Sequence, residues 1–201
     1  MRTILGFMER MLPYMLLAVP VYAAARFFVI RRRYQKVNWR HEIGLFLFVI
    51  FLAGLASQTV LPPFILDAGG IRAAGGRTHE TWLIPFRFLC YTYEDIVVRH
   101  STYSLLINFL GNVVMFMPFG FFPPLLWRTS GKTAVAVGFG TSLLVEITQL
   151  FLPRSTDIDD LILNTAGAAL GYWLYRLLHR ICGRWMDTFA LNDGIKRKKV
   201  A

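Results

Sequence analysis

Charge is scarce in this 201-residue chain: Asp, Glu, Lys and Arg together make up 17%, where an average soluble domain has about 25%. Acids are the scarcer sign, 12 against 22 Lys+Arg, which leaves a net charge of +10. Two cysteines are too few for a disulfide scaffold. A hydrophobic share of 55% and a mean hydropathy of +0.47 exclude disorder, because there is ample apolar surface to bury. Familiar catalytic signatures are missing as well: no phosphate-binding glycine loop, no HExxH, no GxSxG elbow and no CxxC pair. His79 and His100 lack metal-ligand spacing. A pI near 10.1 would suit a nucleic-acid binder, but the basic residues punctuate long apolar runs, so no nucleic-acid partner is expected.

Those runs are the dominant feature. A helix crossing a bilayer needs about 20 mostly apolar residues, and 11–30, 43–61, 105–127, 133–152 and 161–179 qualify. The expected fold is all-α, a polytopic membrane bundle of about five transmembrane helices with one long external loop. It divides into an N-terminal helix and basic loop (1–42), a membrane domain (43–180) and a basic tail (181–201). The tail carries Arg184, Lys196, Arg197, Lys198 and Lys199, and Arg180 precedes it. Together with Arg31, Arg32, Arg33, Lys36 and Arg40 after the first span, and Arg128 and Lys132 between the third and fourth, these residues fall on one side. Positive-inside logic makes that side cytoplasmic, with the N-terminus external and the C-terminus inside. Ala23-x-Ala25 resembles a signal-peptidase site, but apolar residues continue to Ile30, so the first span is expected to be retained. Arg26 would snorkel to the cytoplasmic headgroups. Cys90 and Cys182 would face opposite sides and stay unpaired.

Polar residues inside spans are informative because hydrocarbon offers them no water. Asn108 and Asn112 lie four apart on the third span, Glu146 and Gln149 three apart on the fourth, and Asn164 opens the fifth. At 1.5 Å per residue, Glu146 lies about 10 Å below the outer helix end and the asparagines at similar depths. The loop before the fifth span holds Arg154, Asp157, Asp159 and Asp160. Polar groups from three spans therefore converge in the outer half of the membrane, beside acids. Asn and Gln also serve as helix glue, whereas a carboxylate at that depth needs neutralisation or a partner, with Arg87 and Arg154 in reach. Asp159 or Asp160 would cap the fifth helix. Alternatively Asp157, Asp159 and Asp160 hold a hard cation, Mg²⁺ or Ca²⁺; no other cofactor is expected. Gly167-x-x-x-Gly171 permits close helix approach, within the bundle or in a homo-oligomer. Pro118 is expected to kink the third span.

The external segment 62–103 is long for a simple connection. Its stretch Trp82-Leu83-Ile84-Pro85-Phe86-Arg87-Phe88-Leu89 is apolar but too short to span, which suits an interfacial or re-entrant segment with Arg87 at phosphate depth.

Taken in order, Asn108-Phe-Leu-Gly111-Asn112, Met117-Pro118-Phe119-Gly120, Val145-Glu146-x-x-Gln149 and Arg154-x-x-Asp157-x-Asp159-Asp160-Leu-x-x-Asn164-Thr165-x-Gly167 resemble the VanZ-like membrane protein family over about 45–175. The Leu83-Ile84-Pro85-Phe86 stretch fits too, although Trp82 stands where the family commonly has Asn. The resemblance implies a multi-pass protein of the bacterial inner or plasma membrane, in a family whose founding member is associated with resistance to teicoplanin, a lipidated glycopeptide. Residues and resemblance together suggest an outward-facing polar cleft that binds a membrane lipid, a lipid-linked envelope precursor or a lipoglycopeptide. Its lining would come from Arg87, Asn108, Asn112, Glu146, Gln149, Arg154, Asp157 and Asn164. The alternative is a membrane enzyme acting on a lipid-linked cell-envelope substrate through a carboxylate and divalent-cation site. The sequence assigns no catalytic residue.

Overall fold

A computed structural model of the chain describes residues 2–33, 37–61, 64–67, 70–73, 81–82, 84–102, 105–152 and 156–191. The fold is all-α; among the described residues one short strand pair lies in the long connection and a second joins that connection to the α5–α6 loop. Helices α1 (Arg2–Arg33) and α2 (Trp39–Thr59) are followed by the antiparallel strands β1 (Phe64–Asp67) and β2 (Gly70–Ala73). Next come β3 (Thr81–Trp82), the short helix α3 (Arg87–Tyr93) and a π-helical turn, Glu94–Val98. A second π turn, Leu105–Phe109, leads into α4 (Leu110–Trp127), and α5 (Gly131–Gln149) follows. Strand β4 (Thr156–Asp157) pairs in parallel with β3, and α6 (Ile158–Met186) ends in a 3₁₀ turn, Asp187–Phe189.

Among the described residues three stretches are long and apolar enough to cross a bilayer: Met11–Arg32 of α1, Trp39–Thr59 and Leu110–Trp127. Helices α5 and α6 have the length, but Glu146 and Gln149 on one and Asp159, Asp160 and Asn164 on the other dilute their apolarity. The third apolar run begins as a π turn, and α4 then continues through Pro118, Pro123 and Pro124 as one helix.

The chain forms two compact units, Met1–Gly75 with Arg184–Ala201, and Gly76–Gly183. In the first, α1 and α2 pack as a pair joined by a partly buried ion pair. Arg26 grips the Glu42 carboxylate with two nitrogens, Nη2 to Oε1 at 2.7 Å. The Tyr22 hydroxyl adds a bond to the Glu42 carbonyl at 3.3 Å. Asn38 caps α2 by accepting from the His41 amide. Its Nδ2 donates to the carbonyls of Thr188 and Ala190, while the His41 ring bonds the Phe189 carbonyl at 2.9 Å.

In the second unit α4, α5 and α6 pack closely, and small residues set the distance. A Cβ on Gly167 would strike the Val113 carbonyl, and one on Gly171 the Met117 carbonyl. The close approach that Gly167 and Gly171 allow is thus made to α4 of the same chain. Ser130 caps α5 by accepting from the Thr133 amide at 3.2 Å. Ala134, Gly138 and Ser142 are buried along its inner face, with Gly138 against Ala168.

Candidate functional site

Residues from five elements of the second unit meet around the start of α6. The first link is local. Asp157 is the last residue of β4, and its Oδ1 accepts from the Asp159 amide at 3.0 Å, so Asp157 is the N-cap of α6. The expected caps, Asp159 and Asp160, have other tasks. Asp159 is 2% exposed and accepts from two backbone amides of the preceding loop, Phe86 and, at 2.8 Å, Phe88. Those amides converge because Phe86 adopts a left-handed conformation (φ 67°) ahead of α3. Asp160 accepts through Oδ1 from Asn112 Nδ2, tying α6 to α4.

The other wall comes from α5. Glu146 is 7% exposed, and its Oε2 accepts from the Asp157 amide at 3.2 Å. One turn toward the helix start, Ser142 is fully buried and accepts from Asn164 Nδ2 at 2.9 Å. Gln149 is buried on the same face as Glu146. Glu146, Gln149, Asn112, Asn164 and Asp157 are therefore gathered as their spacing suggested. Asn108 is not: it lies exposed in the π turn before α4. Asn112, one turn further on, is half-buried and bonded to Asp160. Arg154 lies outside the described residues.

Strand pairing brings in the cation. The β3–β4 register sets Trp82 opposite Asp157 and Thr81 opposite Thr156. The Arg87 guanidinium carbon lies 3.4 Å from the Trp82 ring centre and 4.8 Å from that of Tyr91. This geometry holds the planar cation between two aromatic faces. Burial raises the Asp157 carboxyl above its ordinary value; the Asp159 amide opposes this, the Asp159 charge reinforces it, and the Arg87 charge opposes it.

Several buried polar atoms here have no hydrogen-bond partner: Nη1 of Arg87, Oγ1 of Thr156 and Oδ1 of Asn164. Buried polar atoms are nearly always satisfied, and three without a partner lie in this cluster. Asp157, Asp159 and Asp160 accept from four donors, and no group of three or more His, Cys, Asp or Glu among the described residues is placed to hold an ion.

Sequence reasoning missed Asp159 as the anchor of the loop and Ser142 as the partner of Asn164. The Pro85-Phe86 turn and the spacing of Ser142 one turn from Glu146 were the available signals.

No curated protein and no solved structure matches the chain. A family model described as VanZ/LLP1 does, over residues 48–179, which include Arg87, Asn112, Glu146, Asp157 and Asn164. With more than half of its length matched and the polar cluster inside the matched segment, the chain belongs to the VanZ/LLP1 family.

Proposed function

We propose that this protein crosses a bacterial inner or plasma membrane five times, N-terminus outside and C-terminus in the cytoplasm, and binds an amphiphile at an outward-facing polar cleft. Helices α5 and α6 supply the fourth and fifth spans. Their polar residues turn inward, while Leu143, Leu144, Ile147, Leu170, Trp173 and Leu177 are exposed, as lipid contact requires. The segment after β3 lies at the interface, with Trp82, Ile84, Phe86 and Leu89 exposed.

The observation that carries the reading is Arg87. Its guanidinium is clamped by Trp82 and Tyr91, yet Nη1 is buried and unbonded. A cation held rigid with a donor in reserve suits an anionic headgroup oxygen. Glu146, Asn112, Gln149, Thr156 and Asn164 then supply hydrogen bonds to neutral polar groups of the same ligand, a membrane lipid, a lipid-linked envelope precursor or a lipoglycopeptide. Membership in this family points to teicoplanin, whose lipid tail fits an intramembrane cleft. The carboxylates' engagement as cap, loop anchor and helix tie favours binding over an enzyme acting on a lipid-linked substrate.

Susceptibility to teicoplanin and vancomycin tests this in one host expressing wild type, Arg87→Ala or Glu146→Ala at matched membrane levels. Protection against teicoplanin alone, lost in both variants, is the expected result. Equal protection by wild type and variants would overturn it.

A further inference from the structure

A second cleft lies away from this cluster. An open groove of about 800 Å³ runs between the first half of α5 and the middle of α6. Its floor is apolar, with Val135, Ala136, Phe139, Ala169 and Tyr172, and Lys132 stands at one end. From Ser130 to Phe139 the α5 wall is about 14 Å long. That length and volume suit one acyl chain lying along the helix seam, and the volume is within the usual range of about 300–1,000 Å³ for ligand clefts.

The charge around the groove is of one sign. No Asp or Glu occurs between Asp95 and Glu146, or between Asp160 and Asp187, so neither wall carries an acid near the groove. Arg128 and Lys132 are exposed at its α5 end. Arg176 is exposed one turn beyond Tyr172, on the same face of α6. Among the described residues, no ion pair engages Arg128, Lys132 or Arg176. An apolar trough that opens onto unpaired cations is complementary to a single-charge amphiphile with its anion at the helix end.

We infer that this groove is a binding site for one anionic phospholipid, its phosphate at Lys132 and Arg128 and one acyl chain along Ala136, Phe139 and Ala169. The site is separate from the polar cleft: it shares no residue with it and requires no ligand there. On the topology proposed above it lies in the opposite leaflet, where anionic headgroups attract juxtamembrane cations.

Native mass spectrometry of the full chain, released from nanodiscs of phosphatidylglycerol or phosphatidylcholine, tests the assignment. Arg87→Ala, which lacks the cation of the polar cleft, is the background; it is expected to keep one phosphatidylglycerol and no phosphatidylcholine, and added glycerol phosphate is expected not to displace the retained lipid. Lys132→Gln is expected to weaken retention about fivefold. Ala136→Trp, which fills the trough and leaves the charges, is expected to abolish retention, with size-exclusion profile and melting temperature as folding controls. Arg31→Gln with Arg32→Gln removes two cations elsewhere and is expected to change nothing. Equal retention of both lipids in the Arg87→Ala background would overturn the proposal. So would undiminished retention in folded Ala136→Trp, or in Lys132→Gln should Ala136→Trp not fold. A loss in the Arg31/Arg32 variant as large as in Lys132→Gln would mean diffuse surface attraction and would also overturn it.

Discussion

The two units treat buried polarity in opposite ways. Between α1 and α2, Arg26 and Glu42 neutralise each other with two bonds, Asn38 spends both ends of its amide, and the His41 ring reaches a carbonyl. Around the start of α6, the polar side chains are just as buried, but Arg87, Thr156 and Asn164 each keep an atom without a partner. A closed network specifies a fold; an incomplete one costs stability unless something else completes it. The first network is therefore read as architecture, and the second as a surface held ready for a ligand.

That contrast breaks most sharply at Glu42. Truncating Glu42→Ala removes the carboxylate that Arg26 grips in the α1–α2 interface and is expected to cost about 1.5–3 kcal/mol, seen as a fall in melting temperature. Replacing both partners, Arg26→Met with Glu42→Leu, is expected to recover most of that loss, because no unpaired charge remains. In the other unit, Gly171→Val drives a side chain into the Met117 carbonyl and is expected to destabilise by about 1–3 kcal/mol in the same assay.

The cap separates structural from functional carboxylates more finely. Asp157→Ala is expected to cost about 1 kcal/mol, and Asp157→Asn no more than a few tenths, since Asn caps as well as Asp. The raised Asp157 value adds a pH signature. A carboxyl whose folded value lies above its unfolded one binds its proton more tightly in the native state, so stability falls as pH rises from about 4 through the raised value. Melting curves of Asp157→Asn are expected to lose that slope and to match or exceed wild type at neutral pH.

Much of this cluster was legible because periodicity and depth are simple arithmetic. Glu146, Gln149 and Asn164 sit on regular α-helices, so their spacing fixed their faces. Asn108 lies exposed in the turn Leu105–Phe109 ahead of α4, and spacing alone does not say which neighbouring element covers a face. The helix ends were also misjudged: any of three acids could cap α6, and only the β3–β4 pairing decides that Asp157 does. The loop anchor at Asp159 depends on the left-handed Phe86, a backbone choice that a Phe seldom signals. Arg26 near a predicted cytoplasmic end looked like a snorkelling residue, since Glu42 lies 16 positions away and only helix pairing brings it close.

The central claim is that the unfinished network is completed by an amphiphile, and native mass spectrometry of the detergent-purified full chain reads this directly. The account predicts a co-purifying ligand on wild type that Arg87→Ala loses and Lys132→Gln keeps, with the melting temperature of apo Arg87→Ala changed by no more than about 1 kcal/mol equivalent, the scale of a lost cation–π contact. Wild type carrying nothing that Arg87→Ala lacks would contradict it.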